Sequence, residues 1–215
     1  MIGFELERPP KSIVLLGAHP DDIEIGAAGT VMSFAQRYPD ATFHSVVLSG
    51  NEVRQTEATS SARALLGDRV ILHFGGFRDR FLPYQDPSAV KDFLLSAVVP
   101  QTVDIVLAPH REDLHQDHRF VAELALQTFR DHPLLGYEIL KYDGDLGRPN
   151  VFIPLTAEQT QAKIDHLERH FPSQQEKPWY DSEVFRSLMK LRGIEAGAPG
   201  GYAEAFYVSK LVLAG

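Results

Sequence analysis

Two short polar stretches carry the groups from which a hydrolytic centre could be built: Ala18-His19-Pro20-Asp21-Asp22, and the run from Pro109 through Asp113, His115 and Asp117 to His118. An imidazole and a carboxylate three residues apart, joined by an imidazole from elsewhere in the chain, make the ligand set of an open Zn²⁺ site whose remaining position takes water. His19, Asp22 and His118 supply that set. Because no thiolate is present, the site is hard enough for Fe²⁺, Co²⁺ or Mn²⁺ as well. Asp21 is left beside the ligands as a general base, and the metal would lower the pKa of its water and polarise a carbonyl oxygen. His115, one turn before His118, can act from the other side. As an imidazolium it would stabilise an oxyanion or protonate a departing amine, with Asp117 or Asp113 fixing its tautomer. Each stretch alone also has a plainer reading, as a capped turn with Asp22 as N-cap and as a helix start with exposed histidines. Both together, each at the end of an expected strand, favour a site.

The elements that would position these groups follow from periodicity. Residues 12–18 form a continuous apolar run ending in a polar cluster, as in a strand buried on both faces. Further strands are expected at 42–48, 70–74 and 103–108, alternating with helices at 27–37, 54–66, 88–99 and 118–129. Such alternation implies right-handed crossovers and a mostly parallel sheet covered on both faces, an α/β, Rossmann-like three-layer sandwich. In such sheets ligands gather at the carboxyl ends of the strands, and both polar stretches sit there. The last third is less regular. Strands are expected at 137–142, 151–155 and 205–213 and helices at 157–170 and 182–193, with loops rich in Gly, Pro, Asn and Asp between them. A length of 215 residues suits one domain, 1–215, with a doubly wound core over about 1–135 and a C-terminal elaboration over about 136–215.

Composition narrows the partners. Lys and Arg number 21 against 29 for Asp and Glu, a formal charge of −8, which disfavours nucleic acid and anionic lipid surfaces. Cysteine is absent, so disulfides, thiolate ligands and a cysteine nucleophile are excluded. Residues 1–10 have no apolar h-region, and the apolar runs fall short of the roughly 18 residues of a membrane span. A cytoplasmic protein with no membrane partner is expected. Apolar residues in the last third would permit a homo-oligomer.

At its two polar stretches the chain resembles the LmbE/PIG-L family of metal-dependent N-acetylglucosaminyl deacetylases. Ala18-His19-Pro20-Asp21-Asp22 resembles the family's first motif, and the following Ile23-Glu24-Ile25-Gly26 resembles its Ile-Glu branch. His115-Gln116-Asp117-His118, preceded by Pro109 and Asp113, resembles the second. Arg54-Gln55-Thr56-Glu57, followed by Leu66-Gly67, is similar to a helix whose arginine reaches substrate. Segments around Ser173, Arg192 and Tyr202 resemble parts that shape the sugar pocket. The resemblance implies that His19, Asp22 and His118 hold zinc, that Asp21 activates water, that His115 and Asp117 serve the oxyanion and the leaving group, and that Arg54 binds substrate. It implies hydrolysis of an N-acetyl group on an amino sugar or its conjugate, with a small-molecule partner. An amidase for a different acyl conjugate, or a non-catalytic sugar- or nucleotide-binding module, is the alternative. The dinucleotide fingerprint Gly-x-Gly-x-x-Gly is missing from residues 17–26, which counts against the module. Trp179, Tyr180 and Phe185 offer a sugar-stacking platform or a loop anchor. Asp143 and Asp145 suit sugar hydroxyls or turns, and His44 and His73 read as sheet residues.

Overall fold

The computed structural model describes residues 3, 6–98 and 102–211. The apolar run becomes β1, Ser12–Gly17, buried along its whole length. Its side chains alternate as a strand requires: Ile13 and Leu15 join one apolar layer, Val14 and Leu16 the other. Next come α1 (Asp22–Arg37), β2 (Thr42–Ser49), α2 (Glu52–Leu66), β3 (Val70–Phe77), α3 (Pro87–Val98), β4 (Ile105–Pro109), α4 (Gln116–Thr128) and β5 (Leu134–Tyr137). The chain continues through β6 (Val151–Leu155), α5 (Ala157–His170), α6 (Ser182–Glu195) and β7 (Tyr202–Tyr207).

The strands form one seven-stranded sheet in the order β3-β2-β1-β4-β5-β7-β6. The pairs from β3 to β5 are parallel, whereas β7 runs antiparallel to both β5 and β6. Helices α1, α2, α5 and α6 pack on one face, and α3 and α4 on the other. This is the expected three-layer sandwich. Strand order reverses between β1 and β4, which places the polar loops that follow them beside each other at the switch point.

Helix α1 lies close to the sheet because two of its positions lack a side chain. A Cβ at Gly26 would stand 2.2 Å from the Tyr137 ring, and one at Gly29 would stand 2.6 Å from Leu155. Tyr137 is fully buried, and its hydroxyl donates to the Leu16 carbonyl.

Three expectations shift. Helix α1 starts at Asp22, five residues before the apolar pattern becomes helical. The strand expected at 137–142 is instead β5, Leu134–Tyr137. Its partner β4 ends at Pro109, opposite Tyr137, and its pairing with β7 also stops at Tyr137, opposite Phe206, so the chain leaves the sheet there. The last strand begins earlier, at Tyr202, because β6 pairs Leu155 with that residue. Val99, and Val212 and Leu213 of the expected last strand, lie outside the described residues.

Candidate metal and catalytic site

The turn from β1 into α1 folds back on itself. The His19 N–H donates to Asp22 Oδ2 at 2.8 Å, so Asp22 closes the turn from inside the helix. Asp21 occupies the N-cap position without capping through its side chain. From β4, the second loop leads into α4, where His115 is the N-cap and its Nδ1 accepts the Asp117 N–H at 3.2 Å.

These two turns bring His19, Asp22 and His118 together. His19 Nδ1 lies 3.1 Å from His118 Nε2 and 3.5 Å from Asp22 Oδ2, while His118 Nε2 lies 3.4 Å from Asp22 Oδ1. Burial opposes charge on all three. Even so, the two imidazoles hold the Asp22 carboxyl well below the usual carboxylate range, and Asp22 with Asp113 lifts His118 to about 9. His19 is raised likewise, by Asp22, Asp117 and Asp79. Imidazolium protons here do what a cation would do, balancing a buried carboxylate.

The donor set suits a divalent metal. A ligating imidazole needs its lone pair on the nitrogen that faces the ion and a hydrogen-bond acceptor behind the other nitrogen. Behind His118, Nδ1 meets Asp113 Oδ2 at 2.9 Å, and Lys141 Nζ meets the same oxygen at 3.0 Å. Behind His19, Nε2 meets Asp79 Oδ1 at 3.1 Å and Asp117 Oδ2 at 3.3 Å. His115 packs against both, its ring centroid 4.9 Å from His19 and 4.5 Å from His118, near enough to offer a ligand atom beside theirs.

The other residues singled out in the sequence fall as follows. Asp21 forms an ion pair with Arg54 Nη2, both groups nearly buried. The Asn51 side chain caps α2 by accepting the Arg54 N–H at 3.0 Å. Asp117 contributes only its backbone N–H to His115; its carboxylate turns to His19 and to the Leu82 N–H instead. Asp113 likewise orients His118 and not the His115 side chain. Trp179, Tyr180 and Phe185 pack in series, with centroids 5.6 and 5.1 Å apart, but Tyr180 and Phe185 belong to the apolar core, and the Tyr180 hydroxyl donates to Leu167 O. Trp179 also faces the exposed Tyr142, with ring centroids 6.4 Å apart. Asp145 pairs with Lys141, while Asp143 stands exposed. His170 leans on Ser60, and Glu57 accepts from Ser173. His44 and His73 stack on each other within β2 and β3. Arg192 is buried in an ion pair with Glu138. Glu24 is buried against Ser61, and burial pushes its carboxyl up to about 8. Asp79 and Lys141 escaped the sequence reading. Neither lies in a motif, and the signal available for Asp79 was a carboxylate just past the end of a parallel strand.

Comparisons with known proteins agree with this picture. The chain is 29% identical over 172 residues to the uncharacterized deacetylase YaiS of Escherichia coli strain K12, covering 74% of this chain and 90% of that one. Among solved structures, N,N'-diacetylchitobiose deacetylase from Pyrococcus horikoshii superposes with a TM-score of 0.72 at 23% identity, over 95% of this chain and 87% of that one. GalB, the 4-carboxy-2-hydroxymuconate hydratase of Pseudomonas putida KT2440, superposes with a TM-score of 0.75 at 18% identity, over 95% and 98% of the two chains. At such identities these structures share the fold, and a fold by itself leaves the chemistry open. The profile of the PIG-L family, described as GlcNAc-PI de-N-acetylase, matches residues 14–129. That span is more than half of the chain and contains both polar turns, and on it the chain belongs to the PIG-L family of de-N-acetylases.

Proposed function

We propose that this protein is a metal-dependent hydrolase that removes the N-acetyl group from an amino sugar or its conjugate, releasing acetate and a free amine. The observation that carries the reading is the close approach of His19 Nδ1 to His118 Nε2, at 3.1 Å, with one Asp22 oxygen 3.5 Å from the first and the other 3.4 Å from the second. The relatives named above include deacetylases, which supports the bond to be cleaved.

His19, Asp22 and His118 would hold a divalent cation such as Zn²⁺, which when bound would supply Lewis acidity toward water and the acetamide carbonyl. Asp21, beside these residues, accepts the proton of the attacking water. Arg54 balances the charge of that carboxylate and keeps it aimed inward, and its Nε has no partner among the described residues, leaving a donor for substrate. His115 uses Nδ1 as an acceptor, which leaves its proton on Nε2. Burial and the neighbouring His118 and His19 lower its pKa. It therefore offers a neutral N–H to the developing oxyanion, and the proton that the departing amine needs is the one Asp21 took from water.

The test is acetate release from a panel of N-acetylhexosamine glycosides and nucleotide sugars, with the protein stripped by a chelator and then reloaded. Activity should vanish on stripping and return with Zn²⁺, Co²⁺, Fe²⁺ or Mn²⁺. Release of a different acid from non-acetyl amides alone would make the protein an amidase of another class. Turnover that ignores the chelator would remove the metal from the mechanism.

A further inference from the structure

His19 presents two faces. Its Nδ1 looks toward His118 and Asp22, and its Nε2 lies between two carboxylates, Asp79 at 3.1 Å and Asp117 at 3.3 Å. One nitrogen carries one proton, so the carboxylates compete for it. Asp117 is fully buried and already holds the Leu82 N–H through Oδ1 at 3.2 Å. Asp79 has no side-chain partner besides His19 among the described residues, and it makes the shorter contact.

The turn that carries Asp79 is built to stay where it is. Arg80 is the one non-glycine among the described residues with a left-handed backbone, at φ 63°, a conformation unfavourable for a residue with a Cβ. Four hydrogen bonds hold the turn. Gln85 bonds both the N–H and the carbonyl of Arg78 at 3.1 and 3.2 Å, Gln116 Nε2 donates to Arg80 O at 2.6 Å, and the Tyr84 hydroxyl donates to Gln116 Oε1 at 3.1 Å. Gln116 sits between His115 and Asp117, so the turn is fastened to the same first turn of α4 that supplies His118.

We infer that Asp79 is a positioning residue of the metal site: its carboxylate takes the Nε2–H of His19, fixes that tautomer, and aims the Nδ1 lone pair at the point His118 and Asp22 face. The inference rests on the metal-site reading above and gives His19 what Asp113 gives His118. His19, Asp79 and Asp117 also lie near enough to each other to hold a separate cation. Such an ion would need the Nε2 proton removed while Nδ1 served the first site, which makes the imidazole an anion.

The experiment titrates Zn²⁺ into metal-free wild type, Asp79→Ala and Asp79→Asn, with circular dichroism of the metal-free proteins as the folding control. The wild type should bind one equivalent. Asp79→Ala should weaken binding roughly 10–100-fold, and Asp79→Asn, whose amide oxygen still accepts the N–H, should recover much of that loss. Imidazole ¹⁵N spectra of the loaded wild type should show His19 protonated at Nε2. Wild-type Zn²⁺ affinity in Asp79→Ala, with only KM raised, would make Asp79 a sugar contact and overturn the inference. A second equivalent bound by wild type and lost in Asp79→Ala would overturn it in favour of a separate cation site. Failure of the wild type to bind any Zn²⁺ would sink the metal-site reading itself.

Discussion

The two ends of the sheet are held by different forces. From β3 to β4 the layers meet mainly through aliphatic side chains, and the buried ion pairs of that half, Asp21 with Arg54 and Asp22 and Asp113 with His118, gather at the switch point. At the other end, where α5, α6, β6 and β7 close the molecule, buried charges hold the packing together. Lys163 on α5 reaches Glu204 on β7 and the Ile25 carbonyl on α1, both at 2.6 Å, while Glu204 accepts the Gly29 and Thr30 N–H groups. Arg192 on α6 clamps Glu138 through two hydrogen bonds of 2.9 and 2.6 Å, and the Tyr207 hydroxyl joins them. Successive β-α units find their places by burying apolar faces. Elements added after the last parallel crossover have weaker instructions of that kind, and a buried ion pair, costly unless fully matched, admits one docking arrangement.

Four substitutions probe that contrast. The site end should respond in rate more than in stability: Asp21→Asn should cut the deacetylation rate by about 10²–10⁴-fold, with metal content near wild type and a melting temperature lowered less than in Lys163→Met, because the amide oxygen still accepts from Arg54. A loss of fold in that variant would erase the distinction. The far end should respond in stability. Lys163→Met strands a buried carboxylate and should cost about 3 kcal/mol or more in urea unfolding, and Lys163→Met/Glu204→Gln should recover part of it. A third probe lies on the seam between α2 and α5, where His166 Nε2 sits 2.8 Å from Ser61 Oγ. Burial, with His170 and Arg169 nearby, pushes His166 down to about 4 from an ordinary 6.5. The unfolded chain therefore binds this proton first as pH falls. The contribution of neutral His166 is complete above about pH 6.5 and is lost as pH drops through 4, up to about 3 kcal/mol. His166→Gln should flatten that acid limb, and an unchanged slope would remove His166 from the account. The smallest effect belongs to Tyr137→Phe, which deletes one hydrogen bond to Leu16 O and should cost about 1 kcal/mol.

The same contrast marks where the sequence spoke clearly. Apolar runs such as residues 12–18 define their own strands, and the His19 and His115 turns announced themselves because the needed groups are neighbours in the chain. Residues 137–142 misled because Tyr137, Ile139, Leu140 and Tyr142 make a strand-like apolar run, although the pairings with β4 and β7 both stop at Tyr137. Asp79 and Lys141 stayed hidden for a related reason. Asp79 meets an imidazole and Lys141 a carboxylate far away in sequence, through contacts created only when loops from different strands converge. Asp117 shows the limit from the other direction: proximity in sequence suggested His115 as its partner, and the turn geometry gave its carboxylate to His19.

The permitted spelling of the chain is narrow at one position outside both polar turns. Gly26 lies one helical turn beyond Asp22, and the Tyr137 ring fills the space a methyl group would occupy. Metal ligands work within tolerances of roughly half an ångström. A single added carbon at position 26 must lift the helix or tilt the ring, and either movement is passed along one rigid turn to Asp21 and Asp22. The accuracy of the candidate site's turn is thus set by a missing carbon, four residues downstream of Asp22.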